Sequence, residues 1–360
     1  MGFYSEKVKE LTPYVPGEQP KDGEYIKLNT NENPYSPSPK VEKAIQNFSF
    51  EKLKLYPDFE CMDLRKTFAE SVGVSPENVF VGNGSDEVLA IAFQAFFMNK
   101  ENVLMPDISY SFYPVYCKMY NVKANEMPLK EDYRINIADY LIDNNGIVIA
   151  NPNAPTSLAL SRNEIEEILK NNLDRVVLID EAYVDFGAES CVPLLSKYDN
   201  LFIVRTLSKS YSLAGMRIGF GIGSKKLIEA MNRIKDSFNS YPIDSLAQVA
   251  AKAAIEDKIY FNETINKIIN TRSRVIEQLE ELGFEVLESK TNFLFISNPK
   301  KSAEELFQSL KENKILVRYF KKPRLDNFLR ITIGTDEQMD ELIKVIKEEV
   351  IWNQILRKWN

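Results

Sequence analysis

Short apolar runs alternate with helical patterns over much of the first 244 residues. The runs lie at residues 79–81, 102–105, 122–127, 146–150, 176–179, 201–204 and 218–221. Continuous apolar runs separated by helix-length segments are typical of βαβ units, in which helices cover both faces of a parallel sheet. The pattern therefore predicts an α/β fold with a mainly parallel central sheet and helices on both of its faces.

The pattern changes after residue 244. A long helical region runs from residue 245 to residue 282, and short predicted strands at 284–287, 293–296, 315–319 and 328–333 then surround a helix at 303–311. A last helix begins at residue 336, and residues 11–39 are loop-like and include most of an N-terminal arm that we expect to contribute to the small domain and the active site. We predict an N-terminal arm (residues 1–35), a large domain (36–244) and a smaller α+β domain (245–360).

Composition narrows the class of protein. The chain has 360 residues, of which 44% are hydrophobic, and a formal net charge of −7, which argues against a nucleic-acid partner. It contains no long apolar run, and residues 1–10 are charged rather than apolar, so we expect a soluble, cytoplasmic protein with no membrane partner. Cys61, Cys117 and Cys191 are widely spaced, which predicts reduced thiols and no bound metal.

The sequence contains no histidine. Histidine is the usual general base, and it is required in His-containing catalytic triads and in the common zinc motifs. Any acid-base catalysis must therefore use Lys, Tyr, Asp, Glu or Cys.

Three charged residues follow predicted strands. Asp180 ends the run at 176–179, Lys209 follows the run at 201–204, and Arg217 lies shortly after Lys209. A lysine amine can form a Schiff base with pyridoxal phosphate (PLP), a carboxylate can hold the pyridinium nitrogen protonated, and an arginine can pair with the phosphate. The set suggests a PLP site, although a surface lysine and a carboxylate that caps a loop are the ordinary alternatives.

A glycine-rich turn at residues 82–87 joins a predicted strand to a helix. Such a turn presents backbone N–H groups and the positive end of the helix dipole to an anion. Glu87 stands where the dinucleotide-binding motif has its third glycine, and no GK[ST] ending is present. The turn is therefore a candidate phosphate site, and nicotinamide-binding and P-loop proteins are disfavoured.

With these segments in place, the chain resembles the histidinol-phosphate aminotransferases, class II PLP-dependent aminotransferases of fold type I. The resemblance extends over nearly the whole chain and implies that fold. The matching segments, in family order, are LNTNENP (28–34), YPD (56–58), GSDE (84–87), SYSFY (109–113), residues 151–156, DEAY (180–183), residues 206–217 and LRITIGT (329–335).

The resemblance implies three catalytic residues and a set of cofactor contacts. Lys209 would be the Schiff-base lysine, Asp180 would pair with the pyridine nitrogen, and Tyr183 would contact the ring oxygen. Tyr110 would stack on the cofactor ring. The residues around the phosphate would be Ser85, Asp86, Thr206, Ser208 and Arg217.

A homodimer with shared active sites is also implied, because Tyr56 would reach the phosphate bound by the neighbouring subunit. Arg330, Arg318 and Tyr14 would hold the anionic groups of the substrates. The expected reaction is transamination between L-histidinol phosphate and 2-oxoglutarate, which gives imidazole acetol phosphate and glutamate, a step of histidine biosynthesis.

One segment departs from the family. The usual sequence is Asn-Pro-Asn-Asn-Pro-Thr-Gly, in which the second central asparagine bonds the ring oxygen, whereas this chain has Ala154 there and Ser157 in place of the glycine. Either Asn153 takes over that hydrogen bond or Tyr183 makes it alone.

Two other readings stay open. An aromatic amino-acid aminotransferase or a threonine-phosphate decarboxylase would share these core segments, although the decarboxylase typically begins with a His-Gly-Gly segment that a histidine-free chain cannot contain. A non-catalytic protein that retains the fold is the alternative from another class.

Overall fold

The computed structural model describes residues 3–14, 17–20 and 22–359, with no side-chain description for residues 351–359. Its α-helices are α1 (Glu6–Glu10), α2 (Pro39–Gln46), α3 (Met62–Val72), α4 (Gly84–Ala92), α5 (Tyr113–Met119), α6 (Arg162–Lys170), α7 (Lys225–Phe238), α8 (Ser245–Glu256), α9 (Lys258–Glu281), α10 (Ala303–Glu312) and α11 (Asp336–Trp359).

The strands follow the predicted apolar runs closely. They are β1 (Ile26–Lys27), β2 (Val79–Asn83), β3 (Val103–Pro106), β4 (Ala124–Met127), β5 (Ile147–Ala150), β6 (Val177–Asp180), β7 (Leu201–Thr206), β8 (Ile218–Gly223), β9 (Glu285–Val286), β10 (Phe293–Ser297), β11 (Ile315–Leu316), β12 (Arg318–Tyr319) and β13 (Phe328–Thr332).

Local sequence explains where several helices begin. The Ser161 hydroxyl accepts the Glu164 backbone N–H while the Glu164 carboxylate accepts the Ser161 backbone N–H, which forms a capping box at the start of α6. Asp244 caps α8 by accepting the Ala247 N–H at 2.8 Å. These side chains satisfy N–H groups that have no partner within their own helix.

The central sheet has seven strands in the order β2-β8-β7-β6-β5-β3-β4. The pairs β7–β6, β6–β5, β5–β3 and β3–β4 are parallel, whereas β8 is antiparallel to both β7 and β2. The mainly parallel sheet of an α/β fold is therefore confirmed, and β8 is its one reversed strand.

Both faces of the central sheet are buried. Ile147, Ile149 and Ile179 point into one apolar cluster, and Val148 and Leu178 point into the other. This alternation follows from the two-residue repeat of a strand. It explains why the strands read as continuous apolar runs in the sequence.

The remaining strands form two smaller sheets. An antiparallel sheet has the order β12-β13-β10-β9, and β1 of the N-terminal arm pairs in parallel with β11. Residues from α9, α10 and α11 share an apolar cluster with this region. None of the described helices is long and apolar enough to cross a membrane.

Helix α8 packs with the central sheet's helices. Its Ala247, Ala250 and Ala254 are buried in the cluster that also holds Leu64 and Phe68 of α3. The division of the chain at residues 35 and 244 stays a prediction, and this packing favours a second boundary after Glu256.

Candidate active site

A cavity of about 200 Å³ lies at the carboxyl ends of β5 and β6. Ala150 and Asp180 end these strands, are paired in register and both line the cavity, as does Lys209, which follows β7. Carboxyl ends of parallel strands meet at one sheet edge, which is where ligands of open α/β sheets bind. The fold therefore brings Asp180 and Lys209 to the same space.

Asp180 is buried and accepts two hydrogen bonds. Its carboxylate accepts the Tyr113 hydroxyl at 2.9 Å and the Ala182 N–H at 3.1 Å. Burial raises the pKa of Asp180 to about 6, the two hydrogen bonds oppose this rise, and the negative charges of Asp86 and Glu181 add to it. A cationic ligand such as a protonated pyridine nitrogen would supply a positive partner for this buried carboxylate.

The start of α4 forms a candidate phosphate site. Gly84 has φ of +80°, and a Cβ atom there would lie 2.7 Å from Nη2 of Arg217. A Cβ atom at Gly219 of β8 would come within 2.5 Å of the Ser85 nitrogen. The two glycines thus let Arg217 and β8 approach the N-terminus of α4 closely, an arrangement suited to a phosphate, and Ser208 lines the same cavity.

Tyr110 lies beside this corner. Its hydroxyl donates to Oδ1 of Asp86 at 2.8 Å, and Nη2 of Arg217 lies 3.4 Å from Oδ2 of the same carboxylate. Burial raises the pKa of Tyr110 well above its usual value, and Asp86 adds to the shift. Tyr110 is therefore a neutral aromatic ring on the cavity wall.

Three consecutive residues of the N-terminal arm contact three predicted functional side chains. The Asn29 carbonyl accepts Nη2 of Arg330 at 3.0 Å, and the Thr30 carbonyl accepts Nζ of Lys209 at 3.2 Å. The Asn31 amide donates to the Tyr183 hydroxyl at 2.9 Å. We call residues 29–31 the arm segment; in the sequence these residues stand out only as part of the family-like segment at 28–34, which predicts none of these contacts.

Two arginines from a separate sheet also line the cavity. Arg318 and Arg330 are direct partners on the antiparallel strands β12 and β13, and both line the cavity with Tyr14. The Arg330 guanidinium lies 5.3 Å from the Phe293 ring centroid and 5.6 Å from that of Phe320. Burial lowers the pKa of Arg330, and its buried Nε has no hydrogen-bond partner among the described residues.

An orphaned guanidinium N–H in a cavity is a site for an anion. The cavity thus combines the amine of Lys209, the buried carboxylate of Asp180, a candidate phosphate site at the start of α4 and an anion site at Arg330. This donor set fits PLP together with an anionic substrate.

Comparison with known proteins identifies the family. Residues 23–346 match the family described as aminotransferase class I and II. The chain is 55% identical to the histidinol-phosphate aminotransferase of Clostridium acetobutylicum over 96% of this chain and 98% of that protein. The chain belongs to the histidinol-phosphate aminotransferase family.

Other similarities agree with this membership. The histidinol-phosphate aminotransferase of Acinetobacter baylyi is 54% identical over 96% of this chain and 97% of that protein. The crystal structure of the Sinorhizobium meliloti histidinol-phosphate aminotransferase, solved in complex with pyridoxal-5'-phosphate, superimposes with a TM-score of 0.86 at 23% identity, covering 97% of this chain and 98% of that one. The predicted family and fold type are confirmed, and the chain is an aminotransferase.

Eleven of the fourteen predicted site residues line the cavity of this aminotransferase: Tyr14, Ser85, Asp86, Tyr110, Asp180, Tyr183, Ser208, Lys209, Arg217, Arg318 and Arg330. The roles assigned to them stay predictions. Asn153, Thr206 and Tyr56 lie elsewhere.

The side chain of Asn153 is hydrogen-bonded to three neighbouring residues. Its amide donates to the Ile108 carbonyl at 3.0 Å and to the Thr156 hydroxyl at 2.9 Å, and its oxygen accepts the Ser109 hydroxyl. Ala154, not Asn153, lines the cavity. Of the two alternatives for the ring-oxygen contact, this geometry favours Tyr183 alone.

Thr206 and Tyr56 are positioned differently. The Thr206 hydroxyl accepts the Ser208 N–H at 3.1 Å and donates to the Ser208 hydroxyl at 3.0 Å. Thr206 therefore holds Ser208, which lines the cavity, but does not line the cavity itself. Tyr56 is 82% exposed and stacks on Tyr241 with 4.7 Å between ring centroids. A site role for Tyr56 would require a second subunit.

A buried charge network joins the two catalytic strands. Arg205 of β7 lies 3.1 Å from the carboxylate of Glu181 and 2.7 Å from that of Asp185. Ser210, next to Lys209, donates to Asp185 at 2.6 Å. Glu181 and Ser210, the residues directly after Asp180 and Lys209, are therefore linked through Arg205 and Asp185. The sequence alone does not predict this network, because its members are far apart along the chain.

Proposed function

We propose that this aminotransferase transfers the amino group of L-histidinol phosphate to 2-oxoglutarate, giving imidazole acetol phosphate and glutamate in histidine biosynthesis, with PLP as its cofactor. One observation carries the proposal: a single cavity holds Asp180 and Lys209, whose part of the cavity we call the cofactor end, together with the paired arginines Arg318 and Arg330, whose part we call the substrate end. The 55% identity to a histidinol-phosphate aminotransferase supports the same substrate.

The cofactor end would hold PLP by three kinds of contact. Asp180 would pair with the protonated ring nitrogen, and Tyr183 would donate to the ring oxygen. The α4 N-terminus with Ser85, Ser208 and Arg217 would bind the phosphate. When bound, PLP supplies an electron-accepting ring that stabilises negative charge on the substrate carbon bearing the amino group.

Lys209 moves the proton in this proposal. Its Nζ would hold the cofactor between turnovers, and the freed amine would take the proton from the substrate carbon that bears the amino group. Thr30 supports this position, because its carbonyl accepts Nζ of Lys209 at 3.2 Å. A lysine base is consistent with a chain that contains no histidine.

The substrate end of the cavity would select the substrates. L-Histidinol phosphate presents a phosphate, and 2-oxoglutarate presents a second carboxylate, so both would place an anion against Arg330 and Arg318. The Arg330 Nε, buried and without a hydrogen-bond partner among the described residues, supports this assignment. Tyr14 lines the same part of the cavity and would add a hydroxyl donor.

We further propose a homodimer with shared active sites. Residues 50–59 expose several large apolar side chains, and Phe50, Leu55 and Tyr56 are exposed by 70%, 64% and 82%. Clustered apolar exposure of this kind marks an interaction surface. A second copy of the chain would cover it and would bring Tyr56 to the partner's cofactor phosphate.

A cytoplasmic location is proposed on the basis of the cysteines. Cys61, Cys117 and Cys191 are all described, buried and free. Burial raises the pKa of Cys61 and of Cys117 to about 12, so both remain thiols. Free thiols are normal in a reducing compartment. Fractionation of the native host, with detection by antibody, would test the location.

The substrate assignment is tested by half-reactions. The PLP-loaded enzyme is mixed separately with L-histidinol phosphate, L-phenylalanine, L-tyrosine and L-threonine phosphate, and loss of the visible cofactor absorbance is recorded. We expect L-histidinol phosphate to react at the lowest concentration. A preference for an aromatic amino acid would contradict the proposal, and release of carbon dioxide from threonine phosphate would indicate a decarboxylase.

A further inference from the structure

Asn31 occupies an unusual position beside Tyr183. It is 2% exposed and has φ of +58°, a left-handed conformation that asparagine, aspartate and glycine tolerate best. Its backbone N–H donates to the Thr332 hydroxyl at 3.0 Å, and its carbonyl accepts the Asn292 amide at 3.0 Å. Its backbone is therefore held in place by one residue of β13 and by the residue that precedes β10.

The hydrogen bonds around Asn31 set the direction of its amide. The Thr332 oxygen accepts the Asn31 backbone N–H, so its own proton is donated to Oδ1 of Asn31 at 3.1 Å. The amide nitrogen consequently faces Tyr183 and donates to its hydroxyl at 2.9 Å. An amide nitrogen has no acceptor capacity, so the Tyr183 proton must point elsewhere.

We propose that Asn31 is a positioning residue that directs the Tyr183 proton toward the ring oxygen of the cofactor. The inference rests on the proposed contact between Tyr183 and that oxygen. It matters more here than in relatives with the usual segment, because Ala154 lines the cavity where the family's asparagine would be a second donor.

Several charged groups surround Tyr183. Nζ of Lys209 lies 5.9 Å from its ring centroid, Arg330 is close enough to interact electrostatically, and Glu32, Asp86 and Asp180 line the same cavity. Asn31→Gly leaves this charge environment unchanged, so its effect reports on the Asn31–Tyr183 contact, whereas Asn31→Asp also adds one negative charge.

Absorbance provides a readout other than turnover. A hydrogen bond to the ring oxygen stabilises negative charge there and so weakens proton binding by the nitrogen that joins Lys209 to the cofactor. Loss of that bond raises the pH at which the visible absorbance of the loaded enzyme changes. We expect Asn31→Asp to raise this midpoint by about one pH unit, because a carboxylate would accept the Tyr183 proton and turn it away from the cofactor.

Asn31→Gly is the matched variant, since glycine keeps the positive φ but removes the amide. We expect an upward shift smaller than that of Asn31→Asp, because Tyr183 keeps its proton but loses its orientation. Both shifts should disappear when each substitution is combined with Tyr183→Phe, as coupled residues in a double-mutant cycle require.

The outcomes distinguish the proposed contact between Tyr183 and the cofactor from the positioning role of Asn31. If Tyr183→Phe alone leaves the midpoint unchanged, the proposed role of Tyr183 fails. If Tyr183→Phe raises the midpoint while Asn31→Asp and Asn31→Gly lower only the melting temperature, Asn31 is purely structural and the inference is overturned.

Discussion

The two ends of the active-site cavity are built in different ways. At the cofactor end, Asp180 ends β6 and Lys209 follows the adjacent parallel strand β7, so the strand order brings them to one edge of the sheet. At the substrate end, Arg318 and Arg330 meet through antiparallel register in a separate sheet. Under the proposed function, the cofactor end would carry the chemistry that any PLP-dependent aminotransferase needs, and the substrate end would carry the anion recognition that distinguishes one amino donor from another.

The arm segment connects these two ends. Asn29 contacts Arg330, Thr30 contacts Lys209 and Asn31 contacts Tyr183. The two ends therefore belong to different sheets, but both are hydrogen-bonded to the arm segment. Substitutions should show whether they are also distinct in function.

The largest effect is expected at the cofactor end. Lys209→Ala removes the residue proposed as both the covalent attachment and the proton carrier, so turnover should fall by at least about 10⁴-fold and the visible absorbance of bound PLP should be lost. Absorbance spectra and steady-state assays measure this. The exposed Lys226→Ala serves as the control and should behave as wild type. Retained turnover in Lys209→Ala would remove Lys209 from the mechanism.

Asp180→Asn is expected to lower turnover by about 10³-fold, because the ring nitrogen loses its charged partner. In the cofactor-free protein, by contrast, the same substitution is expected to increase the free energy of unfolding. Burial raises the pKa of Asp180 from 3.8 to about 6, so the folded protein binds this proton more tightly than the unfolded chain, and ionised Asp180 costs stability above that pH.

The substitution removes that cost. Cofactor-free Asp180→Asn should be more stable than wild type at pH 8 by about 2 to 3 kcal/mol, and the gain should shrink as the pH falls through about 6 toward 4. Urea unfolding at several pH values measures it. A loss of stability at pH 8 would mean that Asp180 already has a cationic partner in the cofactor-free protein.

How much the sequence could predict differs between the two ends. The strands and the residues that follow them were predictable because apolar runs and their polar ends are local patterns. The arm segment was not, since Asn29 and Arg330 are 301 positions apart and no local pattern encodes that contact. Tyr113 was missed for another reason: it reads as one more aromatic residue of an apolar helix, although its hydroxyl bonds Asp180.

An intermediate effect is expected at the substrate end. Arg330→Lys keeps the charge but loses the planar donor pair, so KM for L-histidinol phosphate should rise by about 10- to 100-fold. Arg324→Lys is the matched control, because Arg324 pairs with Asp107 at 3.3 Å and does not line the cavity. An unchanged KM in Arg330→Lys would place the substrate anion elsewhere.

The smallest effect is expected for Tyr56→Phe, which removes one hydroxyl from the proposed partner contact. PLP affinity should weaken by about 10-fold or less, as one hydrogen bond allows. Mixed dimers of Tyr56→Ala and Lys209→Ala subunits sharpen the test, because a shared site would give one site per dimer with both side chains intact, and that site should recover wild-type PLP affinity. No recovery on mixing, or a monomer in light scattering, would contradict the shared site.

The division between the two ends is tested most directly by the concentration dependence of the half-reaction. Wild-type enzyme and Arg330→Lys, both loaded with PLP, are mixed rapidly with L-histidinol phosphate, and the decay of visible absorbance is followed. We expect identical starting spectra and similar rates at saturation, with Arg330→Lys needing about 10- to 100-fold more substrate. A variant with an altered starting spectrum, or one that saturates at the wild-type concentration, would contradict the separation of cofactor binding from substrate recognition.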